Sequence, residues 1–203
     1  TIEADDRVLG PADFPGPQGQ TAFAYLVSER GRPVSRPQLA EVLWPGELPP
    51  SWGGALSAIV SKLRRLLGTA GLDAAALSGG GGCYECRLPR AAWVDIDAAA
   101  DSIHEAEAAL RAGDPARAYG PSAVAHHIAR RPFLPSAECR WAEERREKLR
   151  SILLRALDCR AEVSAHMRHG AATSGPRKRS DPMTTFSNKQ NAIRAARKPL
   201  GAE

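Results

Sequence analysis

Four groups of residues in this 203-residue sequence are of types that do chemistry. Cys83-Tyr-Glu-Cys86 has the spacing of a zinc ligand pair or a redox dithiol. A zinc site needs two further ligands, and neither a second CxxC nor an HxxxH follows. Residues three apart on an extended strand point to opposite faces, so these thiols converge only if the segment turns. Cys86 is therefore read as a small buried hydrophobe. Gly79 to Gly82 is followed by neither Lys-Ser/Thr nor a helix, which excludes a phosphate loop. His126 and His127 are adjacent on a helix and face different directions, whereas His166 and His169 fall near a helix end and suit its dipole. No nucleophile–base pattern appears. The sequence thus predicts no catalysis, no metal and no cofactor, and leaves one group with a use.

That group lies in Trp52-Gly-Gly-Ala-Leu-Ser-Ala-Ile-Val-Ser-Lys-Leu-Arg-Arg-Leu-Leu-Gly68. Leu56, Ile59, Val60, Leu63, Leu66 and Leu67 recur at helical spacing. The opposite face carries Ser57, Ser61, Lys62, Arg64 and Arg65, with no acid between Glu47 and Asp73. A helix from about Gly54 to Leu67, stopped by Gly68, is ~21 Å long and fits a DNA major groove. Cations suit phosphates, and short polar side chains allow close approach to base edges. The pattern predicts a recognition helix.

Net charge adds little to this. Of the +5 overall, residues 171–203 alone supply +5, with seven basic and two acidic groups, while residues 1–95 sum to −1. Aromatics are 5% of the chain, so the core is expected to be mostly Leu, Val, Ile and Ala. No apolar run approaches the ~18 residues of a membrane span and no signal-peptide pattern opens the chain, so a cytoplasmic protein without membrane contact is expected. Four scattered cysteines argue against a secreted disulfide scaffold. Thr1 in place of Met suggests a start inside a longer product.

The elements that must position the basic helix follow in order. Residues 1–19 hold one candidate strand, Arg7 to Gly10, and a Pro/Gly-rich stretch. Gln20 to Arg30 reads as a helix with Phe23, Leu26 and Val27 on one side and Gly31 at its end. Ser35-Arg-Pro-Gln38 is a capping-box pattern opening a short helix to Leu43 or Trp44, with Leu39, Val42 and Leu43 inward. Pro45 to Pro50 is a rigid connector, and Ser51 is placed to cap the basic helix. Leu77 to Pro89 predicts a β-hairpin with a glycine turn, Tyr84, Cys86 and Leu88 sharing a face. This order is a helix-turn-helix with a wing. An all-helical region follows. One helix begins at Asp95 or Asp97 with Ala99, Ile103, Ala106 and Leu110 on one face. Gly113-Asp-Pro115 ends it and starts a second, which carries Ala118, Val124 and Ile128 inward and a kink at Gly120-Pro121. A third runs from about Glu138 to His166 with Trp141, Leu149, Ile152, Leu153, Ala156 and Val163 inward. A basic, disordered tail is expected over 171–203.

Arg32 to Trp44, Ala55 to Gly68 and Cys83 to Leu88 resemble the OmpR-type winged helix, in the version found in the SARP family of bacterial transcriptional activators. Val94-Asp-Ile-Asp97, Glu107-Ala-Ala-Leu-Arg-Ala-Gly-Asp114 and Trp141-Ala-Glu-Glu-Arg-Arg146 are similar to that family's TPR-like bacterial transcriptional activation domain. Together these segments span about residues 20–166. The resemblance implies a regulator acting at direct repeats near promoters and touching RNA polymerase. It implies DNA contacts at Ala58, Ser61, Lys62 and Arg64, a wing aromatic at Tyr84, and a polymerase-contact loop in the connector around Leu48 and Trp52. The chain departs from the family pattern in having room for only about one strand of the N-terminal sheet, about two helical hairpins, and an unrelated tail. A truncated version of the architecture is therefore expected.

The expected fold is mainly α: remnant strand 1–19, winged helix-turn-helix 20–94, TPR-like helices 95–170, tail 171–203. The expected function is regulation of transcription through double-stranded DNA. Lys62, Arg64 and Arg65 dock on phosphates, Ser57, Ala58 and Ser61 approach bases, and Tyr84 and Arg87 form the wing contact. The helical region then serves homo-dimerisation or effector contact. The rival expectation is a TPR-like interaction module whose winged helix is a scaffold that binds no DNA.

Overall fold

The computed structural model describes residues 1–4 and 7–173. Thr1–Met167 form one compact unit. The chain opens with strands β1 (Ile2–Ala4) and β2 (Arg7–Leu9), paired antiparallel with Ile2 opposite Leu9. Two strands thus stand where one was expected over Arg7 to Gly10. Ile2 and Leu9 pack together against the main core, which the short Ile-Glu-Ala alternation at the start of the chain signals only weakly.

Helix α1 (Gly16–Ser28) starts four residues earlier than Gln20, because Pro17 occupies the first turn, where its missing N–H costs nothing. It buries Ala22, Tyr25 and Leu26, while Phe23 and Val27 are half-buried at the edge of the same core. Strand β3 (Val34–Ser35) leads directly into α2 (Arg36–Leu43). The Ser35 hydroxyl accepts the Gln38 N–H at 3.3 Å, one half of the expected capping box, while the Gln38 amide donates to the Tyr25 hydroxyl at 2.9 Å. Leu39 and Leu43 are buried and Val42 is half-buried.

Helix α3 runs from Trp52 to Thr69 with all six expected apolar residues buried. Both of its ends differ from the sequence reading. Ser51 makes no side-chain cap, and its carbonyl instead accepts the N–H of Gly54 and Ala55. Gly68 continues the helix, and Gly71, at φ +81°, is the residue that stops it. The Leu72 N–H bonds back to the Leu67 carbonyl and the Gly71 N–H to the Gly68 carbonyl, a Schellman closure. A second closure of this kind ends α4 (Asp95–Arg111) at Gly113, after which the Asp114 carboxylate caps α5 (Pro115–Ala129) by accepting the Arg117 N–H at 3.0 Å.

Strands β4 (Leu77–Gly80) and β5 (Cys83–Cys86) form the predicted hairpin, with β3 on the other edge of β5. Gly81 and Gly82 both have positive φ, +58° and +76°, as a two-residue I′ turn requires. Tyr84 and Cys86 face the core, and Cys83 and Glu85 are half-buried.

The main core holds Leu26, Val34, Leu39, Leu56, Val60, Leu63, Leu67, Leu77 and their neighbours. A second core between α4, α5 and α6 (Arg140–Thr173) is dominated by Ala99, Ala106, Ala125, Ala129 and Ala156 around Ile103, Ile128 and Ile152. α5 runs through Gly120-Pro121 as one helix and buries Ala118, Ser122, Ala125 and Ala129. Val124, expected inward, is 44% exposed, because the buried stripe falls one residue away from it. In this second region the described helices make one hairpin, α4–α5, and one long helix, where about two hairpins were expected. That helix outruns its expected end at His166. Of the tail expected over 171–203, residues 171–173 belong to α6, and the rest lies outside the described residues.

The two regions share a seam. The Trp141 ring packs edge-on to Tyr25 of α1 at 5.1 Å between centroids and to Phe133 at 5.8 Å. Arg145 lies over Trp141 and pairs with Glu29 at 3.9 Å. Arg146 donates to the carbonyls of Phe133, Leu134 and Ala137, which shapes the loop between α5 and α6.

Candidate nucleic-acid interface

Burial of Leu56, Ile59, Val60, Leu63, Leu66 and Leu67 fixes the rotation of α3 about its axis, so its outer face follows from its inner one. Ala58, Ser61, Lys62 and Arg65 are exposed on that outer face. Neither Lys62 nor Arg65 has a hydrogen-bond or ion-pair partner among the described residues. The face therefore presents two unneutralised cations beside two short side chains.

The remaining sequence-predicted residues sit differently. Ser57 is half-buried, donates to the Gly53 carbonyl at 2.9 Å and accepts from Arg36 at 3.1 Å. Arg64 is half-buried, and its Nε–H donates to the Leu77 carbonyl at 2.8 Å, tying α3 to β4. Tyr84 is only 6% exposed, with its hydroxyl accepting from Arg36 Nη1 at 2.7 Å. Arg87 is on the surface but forked onto Glu85, with nitrogen–oxygen distances of 3.0 and 2.9 Å. This pairing raises the guanidinium's pKa and lowers that of the Glu85 carboxyl. Leu48 is exposed in the connector, and Trp52 is half-buried against the core at the start of α3. The structure thus brings Ser57, Ser61, Arg64 and Tyr84 around one cleft, sets Ala58, Lys62 and Arg65 outside it, and holds Arg87 in a local pair.

Sequence reasoning missed Arg36. Its guanidinium reaches the Tyr84 hydroxyl, the Gly53 carbonyl at 2.7 Å and Ser57, and stands 5.7 Å from the Tyr84 ring centroid. Its backbone N–H donates to the Gly82 carbonyl at 3.0 Å. One residue at the start of α2 thereby joins α3 to the hairpin. Only the capping pattern around it was visible in the sequence, because its partners lie 17 to 48 positions away.

Burial raises the Cys86 thiol to about 11, so it stays protonated at neutral pH. No three His, Cys, Asp or Glu side chains gather to hold a metal among the described residues, and no described helix is long and apolar enough to cross a membrane.

Two helices, a connector, a basic third helix and a β-hairpin on a three-stranded sheet make a winged helix, here followed by a helical region. The chain is similar in structure to Mycobacterium tuberculosis EmbR in complex with a low-affinity phosphopeptide. The TM-score is 0.67 at 25% identity, covering 77% of this chain and 42% of that one. EmbR is a SARP-family transcriptional regulator, and the likeness is in keeping with the SARP-like resemblance read in the sequence. The chain thus spans less than half the length of that structure. No protein-family model and no curated protein match the sequence.

Proposed function

We propose that this chain is a DNA-binding transcriptional regulator that reads the major groove with the outer face of α3. The observation that carries the reading is the acid-free outer face, where Lys62 and Arg65 stand without partners among the described residues on a helix whose inner face is buried. Lys62 and Arg65 would neutralise phosphates while Ala58 and Ser61 approach base edges. Arg87 would join them by exchanging Glu85 for a phosphate, and Tyr84 and Ser57 would hold the frame. Promoter direct repeats, a polymerase contact at Leu48 and Trp52, homo-dimerisation through the helical region and a cytoplasmic setting complete the proposal.

Fluorescence anisotropy of the full chain on promoter-region duplexes across a salt series tests it. Each phosphate neutralised on duplex DNA contributes about 0.9 to the slope of log K against log salt. Lys62→Ala with Arg65→Ala should flatten the slope by about 1.8. A folded protein that binds no duplex at low salt would defeat the reading. The rival, a protein-interaction module, has one observation in its favour: α6 leaves Leu154 58% exposed and Leu157 45% exposed. A protein partner released by Leu154→Glu with Leu157→Glu, in a chain that binds no duplex, would establish the rival.

A further inference from the structure

Between α3 and the β4–β5 hairpin lies a cleft of about 310 Å³. Arg36, Ser57, Ser61, Arg64, Gly79 and Gly82 line it, and no acidic side chain among the described residues does. Neither arginine has a carboxylate partner among the described residues. Arg36 is held only by neutral oxygens and the Tyr84 ring. Arg64 spends its Nε–H on the Leu77 carbonyl, which fixes the plane of the guanidinium and leaves its Nη groups without hydrogen bonds among the described residues.

The two cations flank one ring. Arg36 Nη1 is on the Tyr84 hydroxyl, and Arg64 Nη2 stands over Gly79, where a methyl group would lie 2.7 Å from that nitrogen and 3.1 Å from Tyr84 Cδ1. Glycine at 79 therefore makes room for the Arg64 side chain, and at Gly80 and Gly82 the hairpin side of the cleft is open. Two half-buried guanidinium groups without a countercharge repel each other in a medium of reduced dielectric constant. Planar guanidinium forks match the oxygen spacing of phosphate. The exposed Ser61 hydroxyl, with no partner of its own among the described residues, adds a neutral donor.

We infer that this cleft is a seat for one phosphate group, held by the Nη groups of Arg64 and the Ser61 hydroxyl, with Arg36 supplying the second positive charge. The phosphate is either a diester of the DNA backbone, in which case the inference rests on the DNA-binding reading above, or a free phosphate.

The test is nuclear magnetic resonance of the ¹⁵N-labelled full chain titrated with inorganic phosphate, ionic strength being held constant with chloride, and then with a short duplex. Saturable shifts of the Arg36 and Arg64 Nε–H and the Gly80 and Gly82 N–H signals are expected. Arg64→Met should abolish them and lower the duplex salt slope by about 0.9. Gly79→Ala, whose methyl displaces the Arg64 guanidinium, should do the same should Arg64→Met fail to fold. Duplex binding that leaves the cleft signals unmoved and the Arg64→Met slope unchanged would overturn the seat while sparing DNA binding. Phosphate shifts in a chain that binds no duplex would establish a free-phosphate seat and defeat the DNA reading. Cleft signals unmoved by phosphate and by duplex would overturn the seat outright.

Discussion

The two cores of this chain are built from different material. Around α3 the buried side chains are mostly Leu, Val, Ile and Tyr, with Ala22 and Ala40 the two alanines, whereas between α4, α5 and α6 half of the core is alanine. Large side chains fix a helix by filling space at a distance. Alanines fix helices by letting their backbones come close, with little apolar area per residue to gain. The first region can therefore hold a surface helix in one orientation from one side only, which leaves the outer face of α3 free for other uses. The second depends on tight approach, and its surface is where it keeps large apolar groups such as Leu154 and Leu157.

Leu63→Ala removes a fully buried side chain from the centre of α3 and should cost about 2–5 kcal/mol in urea unfolding. Ala106→Leu reverses the operation in the other core, where Ala106 is 0% exposed, and should cost about 1–3 kcal/mol through overpacking. If Ala106→Leu left stability unchanged, the close-packed picture of α4–α6 would be wrong.

A smaller effect concerns the ion pair that flanks the alanine core. Arg155 forks onto Glu107 at 2.6 and 2.7 Å, with the two side chains 35% and 25% exposed. The hydrogen bonds from Arg155 hold the Glu107 carboxyl below its ordinary value of 4.5. A lowered folded pKa means stabilisation that is full above that ordinary value and lost as pH falls through the folded one. Glu107→Gln should thus cost under about 1 kcal/mol at pH 7, the exposure of the pair screening it, and the gap from wild type should close below pH 4.5. The smallest effect sharpens the contrast between faces. Lys62→Ala with Arg65→Ala should leave stability within about 0.5 kcal/mol of wild type, because neither side chain has a partner to lose among the described residues. A larger loss would mean that the outer face of α3 is structural.

Periodicity made α3, α4 and α6 legible because each buries one continuous stripe, and the Gly-Gly turn with alternating Tyr84 and Cys86 made the hairpin legible in the same way. Helix ends were harder to read. Gly68 and Gly71 are both chemically suited to stop α3, and only the Schellman bonds decide for Gly71. Ser51 has the right side chain for a cap but sits at φ −98°, ψ 17°, outside the extended conformation that aims a capping hydroxyl at the next turn. Of the candidate interface, the exposed cations Lys62 and Arg65 were visible as a charge pattern. The division of labour among Arg64, Arg87 and Tyr84 was not, because carbonyls and carboxylates met only through the fold decide it. Arg36 left no linear trace beyond its place in a capping motif.

The edge-to-face contact of Tyr25 with Trp141 also sets an order of events during synthesis. Tyr25 leaves the ribosome with the rest of α1, but Trp141 follows more than a hundred residues later. At about 5–20 residues per second, the winged helix waits on the order of ten seconds before its partner ring exists. Through that interval the aromatic flank of α1 faces water, and a nascent chain stalled short of α6 displays it to any chaperone that binds exposed apolar surface.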